Sequence, residues 1–235
     1  MTHGITTAPE NIGAQASDWS GLFRIGGYAA LFMFLLIPIQ IIIFIASPPP
    51  QTVLDYFALF QHNRLLGLLD LDLLLIVDNL LSISLYLALY IALRRKNEPW
   101  TLIATTLGIL SIILYLVSRE ATFSMLTLSN QYAVATTEVQ RQILQAAGQV
   151  LLISYNGTVF NISYILGAAA LIIISVIMLQ NDLFSKATAY LGLAANIIAF
   201  GLYVPSIGVY ISIFSVLFLW IWDLLVALRL LRLAS

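Results

Sequence analysis

Cysteine is missing from all 235 residues, and histidine occurs only as His3 and His62. The first absence excludes disulfides, thiolate metal ligation and a cysteine nucleophile. The second excludes a histidine metal cluster, an HExxH helix or a haem pair in the apolar part of the chain. No metal and no cofactor is expected. Charge is almost as scarce, with 9% Asp, Glu, Lys and Arg against 61% hydrophobic residues and a mean hydropathy of +0.98. A soluble domain carries roughly a quarter charged residues. A globule of this composition cannot be solvated by water, so the main partner of the chain is expected to be the lipid bilayer. The net charge of −1 gives no attraction to nucleic acid, which is not expected as a partner.

Catalytic signatures are missing too. There is no Walker loop, no GxSxG and no Rossmann fingerprint. A non-enzyme is therefore the favoured reading. Catalysis, if present, would take the form of an aspartate hydrolase in which Asp72 or Asp78 pairs with another acid. Residues 1–20 contain no Lys or Arg and no early apolar core, so they do not form a secretory signal. They are expected to be an N-terminal tail, or a short interfacial segment ending at Trp19.

What the chain has in abundance is long apolar runs. Hydrocarbon about 30 Å thick takes roughly 20 apolar residues in helix, and the runs are too long and unalternating for barrel strands. The fold class expected is all-α, a polytopic transmembrane bundle of six spans in one domain over 21–235. The spans are placed at about 22–46, 65–93, 100–128, 150–179, 187–204 and 209–228. Ser47 and three prolines end the first span. An amphipathic helix over about 51–62, with Val53, Phe57 and Phe60 on one side, is expected at the interface. A polar, exposed helix is expected over about 136–149.

The basic residues divide unevenly between the span ends. Arg24, Arg94, Arg95, Lys96, Lys186, Arg229 and Arg232 fall on one side, and Arg64, Arg119 and Arg141 on the other. The excess marks the cytoplasmic face, so both termini are expected there and the membrane is expected to be the plasma (inner) membrane.

The second span carries Asp70, Asp72, Asp78 and Asn79 inside an otherwise apolar stretch. A central Asp costs roughly 2.5–3.5 kcal/mol on insertion scales, which many leucines at about −0.5 kcal/mol each can offset. At 100° per residue Asp72, Asn79 and Tyr86 share one stripe, flanked by Asp78 and Ser82, with Asp70 on another face. The third span has a matching seam of Ser111, Tyr115, Ser118, Thr122 and Ser129, edged by Arg119. Arg119 lies near the depth of Asp72 and Asp78 in an antiparallel neighbour, so a buried Arg–Asp pair is expected.

Three readings compete for this seam. It is a structural ion pair, a water-filled cavity for a polar or headgroup ligand, or a proton or ion path through Asp78 and Asp72. Asp70 is expected to reach water at the outer interface, Glu120 to meet Arg64 or that interface, and Asp223 to pair with Arg24 or Arg229. The stripe of Gly192, Asn196, Ala199 and Tyr203 reads as close helix packing.

Several stretches resemble a known family. They are Arg64-Leu-Leu-Gly67 followed by Asp70 or Asp72 and Asp78, then Leu85-Tyr86 and a basic turn. Arg119-Glu120, Ser185-Lys186 through Gly192, and the closing run from Leu224 to Ala234 continue the likeness. Together they are similar to a bacterial and archaeal family of six-helix membrane proteins described only as a domain of unknown function, the "four-three-eight-six" family. The resemblance covers most of 20–235 and implies six helices in a prokaryotic plasma membrane. It implies no activity.

The expectation from sequence is therefore an integral membrane protein of unassigned activity. An outer-facing cavity between the second and third helices, built on Asp72, Asp78, Asn79, Arg119 and Tyr115, would bind a small polar or amphipathic ligand or a lipid. A proton- or ion-coupled transporter is the alternative. A further one is a non-catalytic subunit of a larger membrane complex, and a homo-oligomer would fit any of these.

Overall fold

Helix α1 runs over Ile12–Ala46 and carries Pro38 inside it. A proline there removes one N–H and leaves the carbonyl four residues earlier without its helical donor. That carbonyl belongs to Phe34, and the indole Nε1 of Trp220 donates to it at 2.7 Å. The Phe34 and Trp220 rings also stack, with centroids 4.9 Å apart. In hydrocarbon a freed carbonyl must find a partner within the protein, and α1 continues through the proline because it has one.

The computed structural model describes residues 12–235, with side chains from Trp19 onward. Of the tail expected over 1–20, residues 1–11 lie outside the described residues, and from Ile12 the backbone is helical. Nine further α-helices follow among the described residues: α2 Val53–His62, α3 Arg64–Asp70, α4 Leu73–Leu93, α5 Glu98–Ser118, α6 Ala121–Val134, α7 Glu138–Tyr155, α8 Thr158–Leu179, α9 Lys186–Ala199 and α10 Gly208–Leu233. A 3-10 turn over Phe200–Tyr203 extends α9. No strand occurs among the described residues. Five helical stretches are long and apolar enough to cross a membrane: Trp19–Ala46, Leu73–Leu93, Glu98–Val134, Glu138–Leu179 and Gly208–Leu233.

One end of the bundle gathers the basic residues. Arg24 Nη2 donates to the Ala234 carbonyl at 3.4 Å, so α1 begins where α10 ends. Arg94 lies over the Trp19 and Tyr90 rings. Arg229 donates to the Leu183 carbonyl and Lys186 to the Leu179 carbonyl at the C-terminus of α8, where a cation also favours the helix dipole. α1 packs against α4 and α10 through two glycines. A Cβ at Gly26 would lie 2.5 Å from that of Ala88, and one at Gly27 would lie 2.8 Å from Leu231 Cγ. The core of this half is built from Leu85, Leu89, Ile174, Met178, Trp222, Val226 and Leu230.

The opposite end carries a cap of α2, α3, α6 and α7 around Val53, Phe57, Phe60, Leu71 and Met125. Local sequence sets its corners. Thr52 caps α2 through Asp55 N–H, Asn63 caps α3 through Leu66 N–H, and Thr137 with Gln140 forms a capping box on α7. The apolar face of α2 is turned into this cap, where Phe57 packs against Tyr132.

Where the bundle meets the cap, three of the long helices break. The second expected span divides at Leu71–Asp72 into α3 and α4, with Asp72 in the left-handed region at φ 64°. The third breaks at Arg119–Glu120 and the fourth at Asn156–Gly157. Side chains of neighbouring elements bond the carbonyls at the first break. Thr122 Oγ1 donates to Leu71 O at 2.5 Å and Gln40 Nε2 donates to Leu69 O at 3.2 Å. Without the cap segments, α4, α5 and α8 have 21, 21 and 22 residues, or about 31–33 Å each at 1.5 Å per residue. That is close to the hydrocarbon thickness of about 30 Å. α9 falls short of a span by length, but its start is tied to Leu179 at the basic end. At the cap end, the turn after it brings Tyr203 to within 3.4 Å of the Asn161 carbonyl.

Candidate functional site

The three breaks surround a cavity of about 900 Å³. Its wall at the cap end is formed by Asp70, Asp72, Arg119, Tyr56 and Tyr155. Further in, α4 contributes Leu75, Asn79, Ser82 and Tyr86, α5 contributes Ser111 and Tyr115, and α8 contributes Phe160, Ser163 and Tyr164. Asn196 of α9 and Ser212, Ser215 and Val216 of α10 close the far side. The lining is amphipathic, charged at the cap end and mixed hydroxyl, amide and aliphatic inside.

Asp72 and Arg119 are the centre of the charged end. Arg119 Nη1 lies 3.0 Å from Asp72 Oδ2, the one ion pair among the described residues. Tyr115 donates its hydroxyl to the same carboxylate oxygen at 3.1 Å. Asp72 is the N-cap residue of α4, yet its side chain caps no backbone N–H, because the carboxylate is committed across the break. The left-handed backbone turns that carboxylate toward α5, and aspartate tolerates this region better than most residues.

The guanidinium of Arg119 is enclosed by aromatic faces. The rings of Tyr155, Tyr115 and Phe160 lie 3.9, 4.5 and 4.8 Å from its central carbon. Cation–π contacts of this kind are worth up to about 2 kcal/mol when desolvated. They hold the charge of Arg119 where water cannot reach, since its side chain is only 2% exposed.

The other sequence-derived site residues separate into groups. Asn79, Ser82 and Tyr86 line the cavity more deeply, with Asn79 Nδ2 donating to Leu75 O and Ser82 Oγ to Asp78 O. The Tyr86 ring is pressed onto Gly108, where a Cβ would lie 2.3 Å from it. Asp78 does not line the cavity and is not bonded to Arg119; its Oδ1 is buried without a hydrogen-bond partner. Six residues from Asp72 and one from Asn79, Asp78 lies roughly 100° round α4 from the cavity-lining stripe of Asn79 and Tyr86.

Asp223 is also buried, and does not pair with Arg24 or Arg229. Those arginines donate to carbonyls at the basic end, while Asp223 faces inward beside Trp222. Glu120 is exposed and accepts from Ser124 Oγ at 2.7 Å. Arg64 is exposed as well, and the two do not meet. Asp70, expected at the interface and reaching water, is 2% exposed, with both carboxylate oxygens buried and unbonded inside the cavity.

The aromatic enclosure of Arg119 is not readable from spacing alone. Tyr155 and Phe160 lie on either side of the Asn156–Gly157 break, and only that break lets both rings meet one guanidinium. A signal exists in the aromatics, since Tyr155, Phe160 and Tyr164 cluster in the first half of a span whose second half has none. Asn196 and Ala199, read as helix packing, also line the cavity.

Residues 25–233 match the family model described as Domain of unknown function (DUF4386). The chain belongs to that family. Its members share a domain to which the description attaches no activity, so the match supports a membrane protein without naming a reaction. No curated protein and no solved structure matches the chain.

Proposed function

We propose that the protein is a multi-pass protein of a prokaryotic plasma membrane that binds an amphipathic molecule, a lipid or a lipid-like ligand, in the cavity between its helices. The observation that carries this reading is the amphipathic lining. A purely structural ion pair needs no adjoining space, whereas here a cavity of about 900 Å³ opens beside Asp72 and Arg119 and continues past Asn79, Ser82 and Ser163. That volume is at the upper end of ordinary ligand sites, which run from about 300 to 1,000 Å³.

In this reading the chain has six spans with both termini cytoplasmic. The basic end, holding Arg24, Arg94 and Arg229, faces the cytoplasm by the positive-inside rule. α9 with its 3-10 turn makes the sixth crossing. Its 14 and 4 residues reach about 29 Å at 1.5 and 2.0 Å per residue. The cap then faces outward and the charged end of the cavity lies at the outer edge of the hydrocarbon. The pair of Asp72 and Arg119 fixes the breaks, and the ligand occupies the space they leave.

Native mass spectrometry of the purified protein tests this. The wild type should retain a bound amphiphile, and Leu75→Trp or Val216→Trp, which place an indole in the cavity, should lose it. Equal occupancy in all three proteins would remove the cavity as a binding site. A second reading, a proton- or ion-coupled transporter, draws support from the broken helices, which in transporters mark sites for ions and substrates. Flux in proteoliposomes unchanged by Asp78→Asn would exclude Asp78 as a carrier.

A further inference from the structure

From the charges that line the cavity we infer that its ligand carries a primary ammonium head, with Asp70 as the counter-ion. The inference rests on the cavity reading and deepens it. Three charged residues line the cavity, Asp70, Asp72 and Arg119. Arg119 and Asp72 neutralise each other at 3.0 Å. One formal negative charge is left, and it belongs to Asp70.

Asp70 is placed to receive a ligand. It is 2% exposed, and neither carboxylate oxygen has a hydrogen-bond partner. Buried carboxylates in folded proteins are paired or bonded almost without exception. Asp72, two residues on, uses its own carboxylate for Arg119 and Tyr115. Asp70 has no such claim on it, ends α3 at the break, and borders the cavity.

The same geometry argues against an anionic head. Arg119 is the single cation on the wall, and its faces are covered by Tyr115, Tyr155 and Phe160. Arg119 Nε has no hydrogen-bond partner, but an anion bound there would sit beside Asp72 on a wall that also carries Asp70. Three of the rings at the charged end, Tyr115, Tyr155 and Phe160, are already occupied by Arg119. What Asp70 lacks is N–H donors, and a primary ammonium supplies three, whereas a quaternary one supplies none. The aliphatic lining from Leu75, Ile112, Leu171 and Val216 then accommodates a chain attached to that head.

The ammonium could belong to a free single-chain amine or to the headgroup of a phosphatidylethanolamine. The test uses the full chain in maltoside micelles, titrated with dodecylamine, dodecanol and dodecyltrimethylammonium and read by calorimetry. The wild type should bind the amine at least tenfold more tightly than either of the others. Asp70→Asn should bring the amine down to the alcohol while leaving alcohol affinity unchanged, and Asp70→Glu should keep the preference. Nanodiscs of phosphatidylethanolamine or phosphatidylcholine then separate the sources. Retention of the former alone identifies the lipid headgroup, and dodecylamine binding without it identifies the free amine.

Equal affinity of the wild type for amine and alcohol overturns the ammonium assignment, with the cavity reading intact. An amine preference that survives in folded Asp70→Asn overturns it as well. If none of the three compounds binds, or if Leu75→Trp binds them all as the wild type does, the cavity reading falls and this inference with it.

Discussion

Asp72 and Arg119 meet at 3.0 Å at the point where both of their helices break. Each residue ends one helical segment or begins the next, so the pair joins two breaks. Removing one partner leaves the other charged, buried and alone, which costs about 3–5 kcal/mol. Arg119→Gln and Asp72→Asn should each lower the unfolding temperature sharply. The double variant Asp72→Asn with Arg119→Gln should recover most of the loss, because no uncompensated charge remains. A double-mutant cycle by thermal unfolding in detergent checks this. Additive losses would mean that the two side chains do not act as a pair.

Trp220 serves a single backbone carbonyl, and that makes its contribution separable. Trp220→Phe keeps much of the stacking on Phe34 but removes the donor, which should cost about 1 kcal/mol. In a Pro38→Ala background the helix supplies its own N–H to Phe34, and the same substitution should cost little beyond lost packing. An equal cost in both backgrounds would show that the proline and the indole are unconnected.

Asp70 predicts a pH dependence. It lies on α3, before Leu73–Leu93, which is long and apolar enough to cross a membrane, and burial pushes its carboxyl up to about 6. An acid whose folded value is raised stabilises the fold when protonated, and that contribution is lost as the pH rises through about 6. The ligand-free protein should therefore unfold at a lower temperature at pH 7.5 than at pH 5, and Asp70→Asn should flatten the difference. Dodecylamine affinity should run the opposite way and fall as the pH drops below about 6, because the counter-ion is then discharged. Melting curves and titrations across pH 5–8 measure both.

The lack of cysteine makes topology directly measurable. Single substitutions Glu98→Cys and Asp182→Cys fall at the basic end, while Thr136→Cys and Val204→Cys fall at the cap end. A membrane-impermeant maleimide added to intact cells should label the second pair and spare the first until the cells are opened. Labelling of Asp182→Cys and Val204→Cys from the same side would show that α9 does not cross, and would reduce the count of spans to five.

The residue sequence by itself determined that the fold is helical and that its solvent is lipid. Length and apolarity of the runs decide that, because hydrocarbon admits few other backbone solutions. It also separated the basic end from the cap end, since Lys and Arg near span ends act locally. Family membership was legible from short motifs such as Arg119-Glu120. Tertiary structure decided where the long helices break, because a break is held by partners distant in sequence, as Thr122 and Gln40 hold the one at Leu71–Asp72. Helical periodicity run through Asp72 as if the helix were continuous puts Asp72, Asn79 and Tyr86 on one stripe and Asp70 on another face. In the structure Asp72, Asn79 and Tyr86 do share the cavity wall, and the left-handed turn at Asp72 leaves Asp70 on it as well. A one-residue change of backbone conformation reorients the side chains before it relative to those after it, and no local pattern in the sequence records it.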